Sequence, residues 1–99
     1  MHIVKTQEGD QTVLALSGRL DTITSPKLQE ALIPAFDSAK RIVLDFSGLD
    51  YVSSAGLRVL LIGEKTAKVK GGLQTLVNVP AEIKEVFTMT GFSEILNIE

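Results

Sequence analysis

Two adjacent serines, Ser53 and Ser54, stand where an apolar strand gives way to an apolar helix. They sit in the run Leu44-Asp45-Phe46-Ser47-Gly48-Leu49-Asp50-Tyr51-Val52-Ser53-Ser54-Ala55-Gly56-Leu57-Arg58-Val59-Leu60-Leu61. Serine is a favoured N-cap, because its hydroxyl satisfies a backbone N–H that the helix leaves without an acceptor, a contribution of about 1 kcal/mol. The same position suits a phosphate, since free N–H groups and the positive end of the helix dipole favour an anion. Phosphorylation there adds roughly −1.5 to −2 charges without melting the helix beneath it. Capping and regulation are both open on spacing alone.

Other chemistry is poorly supplied. A serine nucleophile needs a positioned base, and the one histidine, His2, lies in the first predicted strand. No Gly-x-Ser-x-Gly elbow and no Gly-x-x-x-x-Gly-Lys phosphate loop occurs. An enzyme is therefore not expected, and neither is a metal or cofactor. His2 reads as a surface strand residue, and Asp45 and Asp50 as turn-forming polar residues. Lys65, Lys68 and Lys70 make a solvated helix end that complements the dipole.

The composition describes the scaffold. With 99 residues, 44% hydrophobic and 22% charged, the chain suits one globular domain with a single core. A net charge of −2 with mixed signs leaves no basic footprint for nucleic acid or anionic lipid. The absence of cysteine removes disulfides and thiolate metal sites. Nothing resembles a signal peptide or a membrane span, so a cytoplasmic location is expected.

The elements that must position the serines follow in order. Ile3–Thr6 and Thr12–Ser17 form a hairpin through the turn chemistry of Gly9 and Asp10, with Lys5 marking an edge strand. Val13 to Leu16 is apolar on both faces, which predicts a strand covered on both sides. Gly18-Arg19-Leu20-Asp21 leads out of the sheet. Ser25 caps a first helix with Pro26 at its first position, and Leu28, Ala31, Leu32, Ala35 and Phe36 form its apolar stripe. Pro34 must kink its last turn or end it. Arg41–Phe46 predicts a central strand buried on both faces, and Ser47–Asp50 a short polar loop. A second helix spans about Ser54 to Val69. Gly56, Leu60, Gly63 and Ala67 form its sheet-facing side, and Arg58, Ile62, Lys65 and Val69 lie nearly opposite. That mixed face either packs in the core or offers a patch around Arg58 and Ile62 to a partner. Leu73–Val77 is another strand. Pro80 opens a third helix carrying Ile83, Val86 and Phe87, capped by Gly91, and Ile95–Ile98 is a short strand or turn. The alternation implies an α/β fold of mostly parallel strands with right-handed crossovers and an antiparallel hairpin at the edge.

Asp45-Phe46-Ser47-Gly48, Tyr51 to Leu57 and the upstream Gly18-Arg19-Leu20-Asp21 together resemble the signature of STAS domains of the bacterial anti-sigma factor antagonist family. The strand and helix order matches that family along the whole chain. The resemblance implies a STAS fold, with a mixed sheet and helices packed on it, and a partner-switching role. An anti-sigma factor with serine-kinase activity phosphorylates such a protein and so prevents binding. A serine phosphatase restores the form that sequesters the anti-sigma factor and frees the sigma factor. The family's usual Asp-Ser-Ser-Gly-Leu falls on Ser53-Ser54-Ala55-Gly56-Leu57, so its phosphorylated serine corresponds to Ser54, with Ser53 a minor alternative. The usual Asp is replaced by Ser53 and the following hydroxyl residue by Ala55. Asp21 corresponds to the acidic residue of the family's turn. The implied docking surface is Asp21, Thr22, Ser53, Ser54, Arg58 and Ile62. A STAS interaction module of a signalling or transport complex, without phosphate control, is the alternative.

Overall fold

The computed structural model describes all residues, 1–99. Strand β1 (His2–Glu8) turns through Gly9 and Asp10 into β2 (Gln11–Leu20), and Glu8 faces Gln11 across the turn. Helix α1 (Ser25–Ala35) leads to β3 (Arg41–Val52), α2 (Ser54–Lys70) to β4 (Leu73–Val77), and α3 (Ala81–Thr90) to a single 3-10 turn at Phe92–Glu94. The sheet order is β1-β2-β3-β4, with β1 antiparallel and the other pairs parallel. The expected mixed α/β architecture and antiparallel edge are both present.

The two-sided burial expected for β2 and β3 is corrected. Thr12, Leu14 and Leu16 are buried on β2, and Ile42, Leu44 and Phe46 on β3, while Val13, Ala15, Val43 and Asp45 between them are only half-buried. The cause is topological. Strands β2, β3 and β4 follow one another in the same direction across the sheet, so right-handed crossovers place α1 and α2 on the same face. Helix α3 joins that layer, with Phe87 packing on Phe46 at a centroid separation of 6.2 Å. The other face has no helix on it.

Helix α2 lies against the sheet through its small residues, as expected: Gly56, Leu60, Gly63 and Ala67 are all buried. A Cβ on Gly63 would sit 2.0 Å from Oε1 of Gln74. The glycine thus makes room for Gln74, whose Nε2 donates to the Leu60 carbonyl at 3.0 Å and ties α2 to β4. Pro34 falls in the last turn of α1, and the helix ends one residue later. The C-terminal tail runs beside β4: Leu76 N–H donates to the Asn97 carbonyl and Glu99 N–H to the Leu76 carbonyl, both at 2.9 Å. The tail therefore covers the free edge of β4.

Two segments differ from expectation in ways that bear on the serines. Ser47–Asp50 is not a loop; β3 continues to Val52. Nor does Gly18–Leu20 leave the sheet, since Arg19 pairs with Tyr51 and Leu20 with Val52. Register shifts between Ala15 and Ser17 and between Gly18 and Arg19 break the two-residue alternation, and Leu49 and Val52 return to the buried side.

Candidate functional site

The parallel ends of β2 and β3 deliver two turns side by side. Leu20 opens the first and Val52 the second, and the Ser53 N–H donates to the Leu20 carbonyl at 2.8 Å. Helix α2 then starts hard against Leu20: a Cβ on Gly56 would meet Leu20 Cγ at 2.7 Å and its carbonyl oxygen at 3.1 Å. Glycine at position 56 allows this approach, which holds the start of α2 beside the Asp21 turn.

In the first turn Asp21 organises the backbone. Its Oδ1 accepts from the Ile23 and Thr24 N–H groups, each at 3.0 Å. Thr24 Oγ1 donates to the Arg19 carbonyl at 2.7 Å and accepts from the Asp21 N–H at 2.9 Å. Ser25 is buried, and its hydroxyl donates to the Asp21 carbonyl. The expected cap at Ser25 is thereby corrected: Thr24 is the N-cap residue, its side chain makes no capping bond to the helix, and Ser25 is already helical. Its hydroxyl reaches back to Asp21 because Asp21 has ordered the turn. The Thr24 backbone hydrogen bond, aided by the Thr24 hydroxyl, the Ile23 N–H and Arg19, holds the Asp21 carboxyl below its ordinary range against some desolvation. Arg19 Nε lies 3.7 Å from Asp21 Oδ2, and the guanidinium stacks over the Tyr51 ring at 4.1 Å.

In the second turn the serine pair divides its work. Ser53 is the N-cap, and its Oγ accepts from the Gly56 N–H at 3.3 Å. Ser54 is the first helical residue and is exposed, and its hydroxyl takes no part in the side-chain hydrogen bonds of the protein. The N–H groups of Ser54 and Ala55 precede any i−4 acceptor of the helix. From Ser54 a step of four residues reaches exposed Arg58 and a step of eight reaches half-buried Ile62, so the three share one face of α2. Arg58 has no carboxylate within salt-bridge distance. Beyond Ile62 the same face continues as a shallow depression of about 250 Å³ lined by Ile62, Lys65, Thr66 and Val69.

Of the six residues named from sequence, Ser54, Arg58 and Ile62 form this stripe, and Ser53 sits at its head. Asp21 (half-buried) and Thr22 (exposed) belong to the adjoining turn. Sequence reasoning passed over Ile23, which is 87% exposed beside Thr22, and the Arg19–Tyr51 stack. An isoleucine between two threonines in a short turn was the available signal, since such a side chain has no core to reach from there.

Residues 3–97 match the family model described as the Mlab, STAS domain. The chain belongs to the STAS domain family. Among its relatives is the anti-sigma-B factor antagonist of Bacillus subtilis strain 168, 30% identical over 95 residues that cover 96% of this chain and 86% of that protein. The anti-sigma factor antagonist SpoIIAA in its unphosphorylated form superposes with a TM-score of 0.79 at 17% identity, covering 99% of this chain and 87% of that one. The phosphorylated form of SpoIIAA, a Bacillus cell fate determinant, gives 0.77 at 18% identity, with 99% and 91% covered. At those identities the structural likeness is one of fold. No helix of this STAS domain is long and apolar enough to cross a membrane.

Proposed function

We propose that this STAS domain is an anti-sigma factor antagonist whose binding to an anti-sigma factor is switched off by phosphorylation of Ser54. The carrying observation is the division of labour at the head of α2. Ser53 supplies the cap, so Ser54 is exposed and has no structural duty. The protein acts as a binding partner, with a serine kinase adding the phosphate and a serine phosphatase removing it.

The departure from the family's usual Asp is chemically mild for folding. Aspartate and serine cap helices about equally well, so Ser53 keeps the cap while removing a negative charge next to the acceptor hydroxyl. A phosphate on Ser54 is favoured by the two free N–H groups and the helix dipole. Arg58, one turn along, supplies a cation within reach of it. The helix therefore tolerates the modification. The cost falls on the partner, whose surface must desolvate or repel the new dianion while covering Ile23, Ser54 and Ile62.

Titration of the cognate anti-sigma factor with unmodified and phosphorylated protein tests this reading. Phosphorylation is expected to weaken binding on the order of 100-fold or more, about 2.7 kcal/mol. Ser54→Ala should bind like the unmodified protein, and Ser54→Glu more weakly, though a carboxylate imitates the dianion imperfectly. Equal affinity of the phosphorylated and unmodified forms would overturn it. The second reading, a STAS interaction module without phosphate control, draws on Ser53 and Ala55, which depart from the flanks a family kinase meets. Stable complex formation with no phosphate on either serine would favour it.

A further inference from the structure

The helix-free face of the sheet carries an unusual set of side chains for a surface turned to water. The pairing register gives its rows across the strands. Thr6, Val13, Val43 and Thr75 form the middle row, Val4, Ala15, Asp45 and Val77 the row towards the serine end, and Glu8, Gln11, Arg41 and Leu73 the row towards the hairpin end. A sheet with one solvated face normally alternates apolar-in with polar-out. Here valines and an alanine fill the centre, and Val4 is 60% exposed. The tail shields only the β4 side, where Asn97 Nδ2 donates to Thr75 Oγ1 at 3.0 Å.

Two charges on β3 flank this apolar centre at equal distance from Val43. Arg41 is exposed and has no carboxylate partner. Asp45 uses Oδ1 for both of its hydrogen bonds, from the Ser47 N–H at 3.0 Å and from Asn78 Nδ2 at 3.1 Å, which leaves Oδ2 unused. Two residues on either side of Val43 correspond to about 6.6 Å each way along the strand. A two-fold axis through the Val43 row, lying between two stacked sheets and across their strands, places Arg41 of each copy over Asp45 of the other. The valines then meet valines at the roughly 10 Å spacing of packed sheets.

We propose that the helix-free face is the interface of a face-to-face homodimer, closed by two reciprocal Arg41–Asp45 pairs around a Val13–Val43 centre. The symmetry is isologous, so it stops at two copies. Because the axis reverses the strand direction, the two Ser54 surfaces point to opposite ends, and each stays free to bind. Three strand spacings by five residues give a face of roughly 15 by 17 Å. This is smaller than the ~800 Å² per partner of a standard interface, so the dimer is a weak, transient one.

Sedimentation equilibrium of the full chain, from micromolar to millimolar, tests the proposal. The wild-type average mass should rise towards twice the protomer mass. Arg41→Asp and Asp45→Arg should each stay monomeric, since each homodimer would face like charges twice. An equimolar mixture of the two variants should associate again, because one copy then carries two acids and the other two bases. That recovery cannot come from misfolded protein. A monomeric wild type, a dimer indifferent to both substitutions, or a mixture no more associated than its components would each overturn the proposal. An apolar face that serves a different protein would give the first of these results.

Discussion

Helices α1 and α2 begin in the same way on paper, each with a hydroxyl residue followed by a serine, yet the two starts are built for different purposes. At α1 both hydroxyls are engaged: Thr24 Oγ1 bridges the Arg19 carbonyl and the Asp21 N–H, and buried Ser25 donates to the Asp21 carbonyl. At α2 only the first is engaged, Ser53 accepting from Gly56, while Ser54 stands exposed with no partner. Since the two starts are joined by the Ser53–Leu20 hydrogen bond, a densely hydrogen-bonded turn abuts one that leaves a serine hydroxyl free. The difference separates a serine engaged in the fold from a serine left free, the one proposed above to carry the phosphate.

Substitutions can break this comparison, and the largest effect is expected where the two starts touch. Gly56→Ala places a methyl against Leu20 and should cost about 1–3 kcal/mol, read as a lower denaturation midpoint. Ser25→Ala and Ser53→Ala each remove a hydroxyl in use and should cost about 1 kcal/mol, with Ser53→Asp close to wild type because aspartate caps as well. Acid should loosen the α1 start selectively. The Asp21 carboxyl is held below the usual 3.8, so its contribution is complete above that value and is lost as the pH falls through the lower folded value. The stability gap between wild type and Asp21→Asn should therefore close on acidification below about pH 3.8. Ser54→Ala should change stability least, within about 0.5 kcal/mol. A cost at Ser54 equal to that at Ser25 would mean the two starts are alike after all.

Much of this was legible in the sequence. The 3.6-residue stripes gave the three helices, and the turn chemistry at Gly9-Asp10 gave the hairpin. The serine pair was legible because serine is a residue type that caps a helix and accepts phosphate, whereas the Asp21 turn and the choice of Ser54 came only from the family resemblance. What could not be read was set by tertiary relations. Ser47–Asp50 looked like a loop because bulged strands lose the two-residue period. The bare sheet face was hidden because Val13 and Val43 suit a strand whether or not a helix lies above them, and only the strand order decides which faces are covered. Ser25 has the residue type and place of a cap, but the acceptor that claims its hydroxyl, the Asp21 carbonyl, lies four residues earlier and is brought near by the turn. Which serine of the second pair caps depends on where α2 starts, and one residue of register exchanges their roles.

The measurement that bears most directly on the central claim is phosphosite mapping after incubation with the cognate anti-sigma kinase and ATP. The account predicts one phosphate per chain on Ser54, none in Ser54→Ala, and unimpaired labelling of Ser53→Asp. A phosphate found on Ser53 or elsewhere, or no phosphate at all with that kinase, would contradict it.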